Sequence, residues 1–253
     1  MDMSGERTPA VSLVIPVYNE ECALPTTIPL LLSWLDAANE PREVLFSDDG
    51  STDESAALLD QAAQADARIR VLHAASNAGK GAAVRRGMLE ASGALVIFTD
   101  CDLAYGLDAV RRVREKLLQT GADAVLGSRA LHPAGYGYYS AARKLMSRAY
   151  RSYLRRSVRL HFSDSQCGIK GFRREAAHAV FSRCETDGFA FDLEVLLLAS
   201  QLSLRVVEIP VNILRHSEER SSVHPLRDAV KMVGQVRKIR RRHKKKQDEA
   251  RDS

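Results

Sequence analysis

The 253-residue chain is poor in cysteine and aromatic residues and contains no long apolar run. Its four cysteines, Cys22, Cys101, Cys167 and Cys184, are scattered and form no C-x-x-C pair. That spacing argues against a zinc site and a disulfide framework, and it fits a reducing compartment. No stretch approaches the roughly 18 consecutive apolar residues of a membrane-spanning helix, and runs such as Val195 to Ala199 are core-sized. The segment Met1 to Ala10 is too short and polar for a signal peptide. A cytoplasmic protein without a transmembrane segment is expected. With 45% hydrophobic residues and no internal repeat or low-complexity linker before the tail, one large α/β domain is as reasonable as two.

Acidic residues are missing from one span and heavily outnumbered in another. The span from Ala124 to Ser163 holds no Asp or Glu, and Arg237 to Ser253 holds nine Lys/Arg against three acids. Outside Arg237–Ser253 the chain carries 28 basic against 29 acidic residues, so the body is near neutral and the excess positive charge is local. Such a distribution does not describe a nucleic-acid-binding surface spread over the molecule, and no nucleic-acid partner is expected.

What is present is an alternation of short apolar runs and helical patterns. Strands are predicted over Val11–Val17, Glu43–Ser47, Ile69–Leu72, Ala94–Phe98 and Ala124–Leu126. Helices are predicted between them, over Leu24–Leu35, Thr52–Asp66, Gly81–Ala91 and Leu107–Gln119. Strands separated by helices of this length imply βαβ crossovers and a largely parallel sheet covered on both faces. The second half reads as a long basic helix, an irregular Gly-rich stretch, a helix at Leu193–Leu202 and a strand at Arg205–Ile209.

The strand ends carry the chemistry. They read Pro16-Val17-Tyr18-Asn19-Glu20, then Asp48-Asp49-Gly50-Ser51-Thr52-Asp53, Ser76-Asn77-Ala78-Gly79-Lys80-Gly81, Asp100-Cys101-Asp102 and Gly127-Ser128-Arg129. Asn, Asp, Gly and Ser are ordinary turn residues, and for Ser51 and Thr52 a turn with a helix cap is the favoured reading. In a parallel sheet, however, the carboxyl ends of the strands line one cleft. Strand alternation predicts that Asp100 and Asp102 point to the same side. Two hard oxygen ligands with open positions suit Mg²⁺ or Mn²⁺ carrying a substrate diphosphate. The competing reading is a polar turn in which Asp102 caps the next helix.

In this order, V-S-L-V-I-P-V-Y-N-E, F-S-D-D-G-S-T-D, N-A-G-K-G-A-A-V-R-R-G-M, F-T-D-C-D-L and G-S-R resemble the inverting nucleotide-sugar glycosyltransferases of family 2, which have the GT-A fold. Asp164-Ser165-Gln166-Cys167-Gly168-Ile169-Lys170-Gly171-Phe172, Phe189-Ala190-Phe191-Asp192-Leu193-Glu194 and Glu208-Ile209-Pro210-Val211 resemble the dolichyl-phosphate β-glucosyltransferase branch, with dolichyl-phosphate mannosyltransferases next nearest. The likeness covers roughly residues 11 to 236 and implies a catalytic domain over 1–224, followed by a tail over 225–253.

The resemblance implies inverting transfer of a hexose, with glucose from UDP-glucose favoured, to polyprenyl phosphate. It assigns Pro16, Tyr18, Glu20, Asp48, Asp49, Lys80, Asp100 and Cys101 to the nucleotide sugar, with Asp49 on the base, and Asp100 and Asp102 to the metal. Arg129 falls on the acceptor phosphate, where an arginine fork matches the oxygens well. Asp102, Arg129, Asp164 and Asp192 form the expected catalytic set. Asp164 is read as a site residue or a turn residue. Asp192 orients the sugar, caps the following helix, or acts as a base if the acceptor is a hydroxyl.

Two departures stand out. Where related mannosyltransferases supply a third metal ligand the chain has Ala104, so water or substrate oxygens must complete the shell. Where many relatives have a phosphate-binding lysine the chain has Ser222, with Arg215 or Arg220 as possible substitutes.

Two basic segments suggest contact with an anionic membrane surface. Arg143, Lys144, Arg148, Arg151, Arg155, Arg156 and Arg159 are interleaved with Tyr138, Tyr139, Tyr150 and Tyr153. Further on, Leu226, Val230, Val233, Val236 and Ile239 recur at helical spacing, followed by eight Lys/Arg between Arg237 and Lys246. Peripheral membrane association is therefore expected, against the plainer readings of a helix packed on the sheet and a solvated tail. Three functional alternatives stay open: a GDP-mannose-dependent mannosyltransferase, a family 2 enzyme with a hydroxyl acceptor, and a nucleic-acid-binding protein.

Overall fold

The computed structural model describes residues 8–135 and 162–214, together with Ser152, Arg156, Gly234, Lys238, Ile239 and Arg241. Strands β1 (Val11–Val17), β2 (Arg42–Asp48), β3 (Ile69–His73), β4 (Leu95–Phe98) and β5 (Ala124–Ser128) alternate with helices α1 (Leu24–Asp36), α2 (Ser55–Ala65), α3 (Lys80–Glu90) and α4 (Gly106–Thr120). After them come β6 (Lys170–Arg173), α5 (Arg174–Phe181), α6 (Phe191–Gln201) and β7 (Val206–Pro210). The seven strands form one sheet in the order β3-β2-β1-β4-β6-β5-β7. All described pairings are parallel except those of β6, which runs antiparallel to β4 and β5.

Both faces of the sheet are covered, and the period of two along each strand divides the core. Leu13, Ile15, Val44, Phe46 and Ile97 pack in one cluster with Leu24, Leu31 and Leu35 of α1 and Val110, Val113 and Leu117 of α4. Their neighbours Val14, Leu45, Val96 and Phe98 pack in the other, with Val84 and Met88 of α3 and Phe181, Phe191 and Val195 beyond. Near-continuous apolar strands follow from burial on both faces.

The expected irregular Gly-rich stretch needs correction, because it contains β6 and α5. Lys-Gly-Phe-Arg has no apolar run to betray a strand. It is made one by the open ladders of β4 and β5, which it joins: Lys170 stands opposite both Phe98 and Leu126. Gly171 is required there, since a Cβ would run into Val113 of α4.

The strand order leaves a crevice at the carboxyl end of the sheet. From β1 the chain crosses outward to β2 and β3, then returns to β4 on the other side. This reversal is where open α/β sheets bind ligands. The β1–β4 ladder ends at Val14 opposite Phe98, while β1 continues to Val17. Pro16 lies in that overrun, paired only with Ser47 of β2, so its missing N–H is tolerated in an interior strand.

Candidate active site

The loops after β1 and β2 are tied together by short polar side chains. Asn19 takes a left-handed backbone (φ 54), which asparagine tolerates. It accepts from Thr52 N at 2.8 Å and donates its own N–H to Ser51 Oγ at 3.0 Å. Ser51 Oγ in turn donates to Asp48 Oδ1 at 2.6 Å, and Glu20 N donates to Ser55 Oγ at 2.8 Å. The turn expected at Ser51 and Thr52 therefore fastens the second strand end to the first. Helix α2 begins later than expected, at Ser55, and no side chain caps it.

The two aspartates at the end of β2, Asp48 and Asp49, face the protein itself. Asp49 accepts from Gly79 N at 2.6 Å and Ala78 N at 3.2 Å, fixing the turn that leads into α3. Gly79 has φ 112, and a Cβ there would meet the Asp187 carbonyl, so glycine is needed at this approach. Asp48 pairs with His73 Nδ1 at 2.9 Å, whose Nε2 meets Asp60 at 3.0 Å. Both partners raise the His73 pKa, the Asp48 hydrogen bond most. Asp48 and Asp49 are both 2% exposed.

Asp100 and Asp102 do not lie on the strand. Strand β4 ends at Phe98, and the chain turns through Asp100–Leu103, with Leu103 at φ 49. Alternation along a strand therefore does not set their directions, and that expectation is replaced by turn geometry. Asp100 Oδ1 pairs with the Lys80 ammonium at the start of α3. Asp102 Oδ1 accepts from Ala104 N at 3.0 Å, capping the turn rather than helix α4, which begins at Gly106. Cys101 between them packs its side chain in the core, and burial pushes its thiol pKa well up. Its carbonyl accepts from Thr27 Oγ1 at 2.7 Å.

Glu20 faces this turn. Burial raises its carboxyl pKa, and Asp102, Asp100 and Asp53 raise it further, with Lys80 opposing. Lys80 is itself held above the usual lysine value; desolvation lowers it, but Asp100, Asp192 and Asp102 prevail. Beside Lys80 stands the ring of Phe189, 6.0 Å away and 72% exposed. Tyr18 is also exposed.

The donor set fits a hard divalent cation: two partly exposed carboxylates on one turn, a third carboxyl opposite them, and an ammonium already drawn into a cation's place at Asp100. Among the described residues no three His, Cys, Asp or Glu side chains gather closely enough to hold a metal alone. A cation held by Asp100 and Asp102 would need water or substrate oxygens to complete its shell.

Asp192 lies in the first turn of α6 but does not cap it; the N-cap is Ala190 and makes no side-chain cap bond. Its carboxylate pairs instead with Lys170, which is 0% exposed and also donates to the Cys167 carbonyl at 2.6 Å. Burial raises the Asp192 pKa, and the two lysines, Lys170 and Lys80, oppose the rise. The amine of Lys170 also stands 5.2 Å from the centre of the Phe98 ring.

At the far side of the crevice Arg129 follows β5. Asp164 takes its fork, with Nε to Oδ2 at 2.7 Å and Nη2 to Oδ1 at 2.9 Å, and also accepts from Arg129 N at 3.1 Å. Burial raises the Asp164 pKa, but Arg129 outweighs it and holds the carboxyl below the usual range. Gly168 passes so close to Asp100 that a Cβ would overlap its carboxylate. Its N–H donates to the buried Tyr105 hydroxyl at 3.3 Å.

Lys170 and Tyr105 of this arrangement were not among the expected site residues. A lysine within Ile-Lys-Gly-Phe was the one available signal, since a charge in an apolar context needs a buried partner. Arg215, Arg220, Ser222 and most of the two basic segments lie outside the described residues. Ile239 is an exception: it is buried against Leu126, Leu193, Leu196 and Leu197. One residue of the expected membrane-facing stripe is thus covered by the protein's own core.

Residues 12–181, well over half of the chain, match the family described as Glycosyl transferase family 2. The chain belongs to glycosyl transferase family 2. Among its curated relatives, the dolichyl-phosphate beta-glucosyltransferase of Drosophila melanogaster is 33% identical over 218 residues, covering 79% of this chain and 66% of that protein. The Dictyostelium discoideum protein of the same name is 28% identical over 245 residues, covering 92% of this chain and 74% of that one. Glycosyltransferase AglD of Haloferax volcanii is 32% identical over 222 residues, 84% of this chain but 35% of AglD. The chain thus spans about a third of AglD and about two thirds of several of the beta-glucosyltransferases.

Solved structures share the fold. Glucosyl-3-phosphoglycerate synthase of Mycobacterium tuberculosis in complex with UDP aligns with a TM-score of 0.64 at 22% identity, over 91% of this chain and 78% of that one. Mannosyltransferase PcManGT of Pyrobaculum calidifontis, solved with GDP-Man and Mn²⁺, aligns with a TM-score of 0.56 at 17% identity, over 85% and 59%. The GT-A architecture expected for family 2 is therefore the fold of this chain. Among the described residues no helix is long and apolar enough to cross a membrane.

Proposed function

We propose that this family 2 glycosyltransferase is a metal-dependent, inverting hexosyltransferase. It moves glucose, the favoured hexose, from UDP-glucose to a polyprenyl phosphate. The observation that carries the reading is the group Glu20, Lys80, Asp100 and Asp102 at the crevice beyond β1 and β4. Relatives named dolichyl-phosphate beta-glucosyltransferase support the sugar and the acceptor.

Asp100 and Asp102 would hold Mg²⁺ or Mn²⁺, which neutralises charge on a departing nucleoside diphosphate. Lys80 adds a second positive charge on the donor side. Pro16, Tyr18, Asn19 and Glu20 line the nucleoside end, on a loop frame that Asp48 and Asp49 stiffen. Arg129, oriented by Asp164, offers its guanidinium to the acceptor phosphate. A phosphate acceptor is already anionic at neutral pH, so positioning and electrostatics can carry most of the rate without a strong base. Asp192 then orients the hexose.

A second reading has one specific observation in its favour. The raised pKa of Asp192 moves it toward the range of a general base, as a hydroxyl acceptor requires. Residues 1–224 act as the catalytic domain, and the basic segments, including 225–253, draw the enzyme to an anionic leaflet.

Purified protein is mixed with UDP-glucose, GDP-mannose or other common nucleotide sugars, Mn²⁺ and polyprenyl phosphate, and glycolipid is measured. UDP-glucose should give product; no product from any donor overturns the proposal. Thermal shift with each nucleotide sugar, with and without Mn²⁺, identifies the donor independently.

A further inference from the structure

Glu208 lies on β7, the edge strand of the sheet, opposite Leu126 of β5. An acid on an edge strand commonly points to water. Here the carboxylate is aimed at the turn that begins at Ser163, beyond the end of β5. Oε1 accepts from Ser163 N at 2.9 Å, Ser163 Oγ at 2.7 Å and Asp164 N at 3.3 Å, and Oε2 accepts from Ser163 N at 3.1 Å. The Ser163 hydroxyl also meets Ser128 Oγ at 2.5 Å, so the turn is tied to both β5 and β7. The next residue is Asp164, whose two oxygens fix the backbone and guanidinium of Arg129.

We propose that Glu208 is a positioning residue for Arg129. It holds the Ser163–Asp164 turn so that Asp164 presents the guanidinium in one orientation to the acceptor phosphate. The inference rests on the reading of Arg129 as the acceptor-phosphate contact.

The physical reason is preorganisation. A free arginine side chain loses rotamer freedom on binding, whereas one held by a carboxylate fork has already lost it. Asp164 can supply that fork only if its own backbone is fixed, and its N–H and that of Ser163 are bound by Glu208. Two carboxylates are brought close together in this arrangement, which is unfavourable unless each is satisfied by separate donors. Glu208 takes the N–H groups of Ser163 and Asp164 and the Ser163 hydroxyl, whereas Asp164 takes the Arg129 donors and the Gln166 N–H. Glu208 therefore acts on the phosphate through two intervening residues, and the donor side of the crevice is not part of the chain of contacts.

The test uses the full chain and farnesyl phosphate as a water-dispersible isoprenyl phosphate, with binding measured by calorimetry in the presence of UDP and Mn²⁺. Glu208→Ala should weaken farnesyl phosphate binding by roughly tenfold, the usual scale for losing hydrogen bonds to a charged group. Glu208→Gln should weaken it less, because its side-chain oxygen can keep the Ser163 bonds. Added to Arg129→Ala, Glu208→Ala should cost nothing further, the signature of two residues acting in one path. UDP affinity should stay the same in all variants.

Farnesyl phosphate affinity within twofold of wild type in Glu208→Ala overturns the inference while leaving the Arg129 reading intact. Full additivity with Arg129→Ala, or an equal loss of UDP affinity, also overturns it, since either indicates general structural damage. If Glu208→Ala does not fold, Glu208→Gln carries the same comparison. No farnesyl phosphate binding by the wild type, or binding that Arg129→Ala leaves unchanged, overturns the Arg129 reading and this inference with it.

Discussion

The ammonium of Lys80, at the first residue of α3, is paired with the carboxylate of Asp100, just beyond β4. The pair joins two strand ends across the crevice and offsets part of the negative charge that Glu20, Asp100 and Asp102 place there. Lys80→Met leaves that charge without its ammonium. The expected outcome is a KM for nucleotide sugar raised about tenfold, in line with the loss of one charge-assisted hydrogen bond. Initial rates over a donor concentration series measure it. An unchanged donor KM would place Lys80 outside the donor site.

Removing the proposed metal ligands should act on turnover more than on binding. Asp100→Asn and Asp102→Asn each keep the side-chain size but weaken the hold on a divalent cation. A loss of about 10²-fold or more in kcat is expected if charge on the leaving diphosphate goes unneutralised. EDTA should abolish activity in the wild type, and added Mn²⁺ should restore it. Turnover that survives both chelation and the double substitution contradicts metal dependence.

The Arg129–Asp164 pair makes a prediction about acid stability. Asp164 has a folded pKa below that of the unfolded chain, because Arg129 outweighs burial. Its stabilising contribution is therefore full above the unfolded carboxylate value, near 4, and is lost as pH falls through the lower folded value. Asp164→Asn removes the carboxylate from a buried arginine pair, and breaking such a pair typically costs about 3–5 kcal/mol. Urea melts from pH 7 downward should show the wild-type advantage constant above about pH 5 and shrinking below about pH 4. An advantage that grows on acidification has the wrong sign.

Lys170 and Asp192 form a second buried pair, with the lysine enclosed between Phe98, Cys167 and α6. Lys170→Met strands the Asp192 carboxylate and should destabilise the fold by roughly 3–5 kcal/mol. Replacing both, as Lys170→Met with Asp192→Leu, should recover much of that loss, since an apolar pair of similar volume needs no desolvated charge. Denaturant midpoints for the single and double variants decide the matter. A double variant no more stable than Lys170→Met shows that packing, and not the unpaired charge, sets the cost.

The strands and helices from β1 to β5 were legible because each strand is a short apolar run closed by turn residues, and each helix has an apolar stripe. β6 was not, because Lys-Gly-Phe-Arg becomes a strand only between two ladders already in place. The same contrast holds in the site. Strand-end positions drew attention to Glu20, Lys80, Asp100, Asp102 and Arg129. Their partners lie 20 positions apart for Lys80 with Asp100, 35 for Arg129 with Asp164, and 45 for Ser163 with Glu208. No local pattern encodes pairs at those separations. Strand alternation is no guide to Asp100 and Asp102 for a related reason: the chain leaves the strand at Phe98, so the period of two stops before the carboxylates begin.

Asp192 separates the two acceptor chemistries. Its raised pKa comes first from burial, with Lys170 and Lys80 opposing. If the acceptor is a phosphate, no proton is removed in the transfer, and Asp192→Asn loses an orienting contact with the hexose together with the charge of its pair with Lys170. A kcat reduced by about tenfold is then expected, with no new pH limb. If the acceptor is a hydroxyl, Asp192 must take its proton and the same substitution should lower kcat by about 10²–10⁴-fold. The wild-type rate would then fall on acidification through the raised Asp192 pKa, where the carboxylate becomes protonated. Measuring kcat against pH for wild type and Asp192→Asn, once with polyprenyl phosphate and once with an acceptor that offers only a hydroxyl, distinguishes the cases. A large loss with a vanished acid limb points to the hydroxyl mechanism, and a small loss with an unchanged profile supports transfer to phosphate.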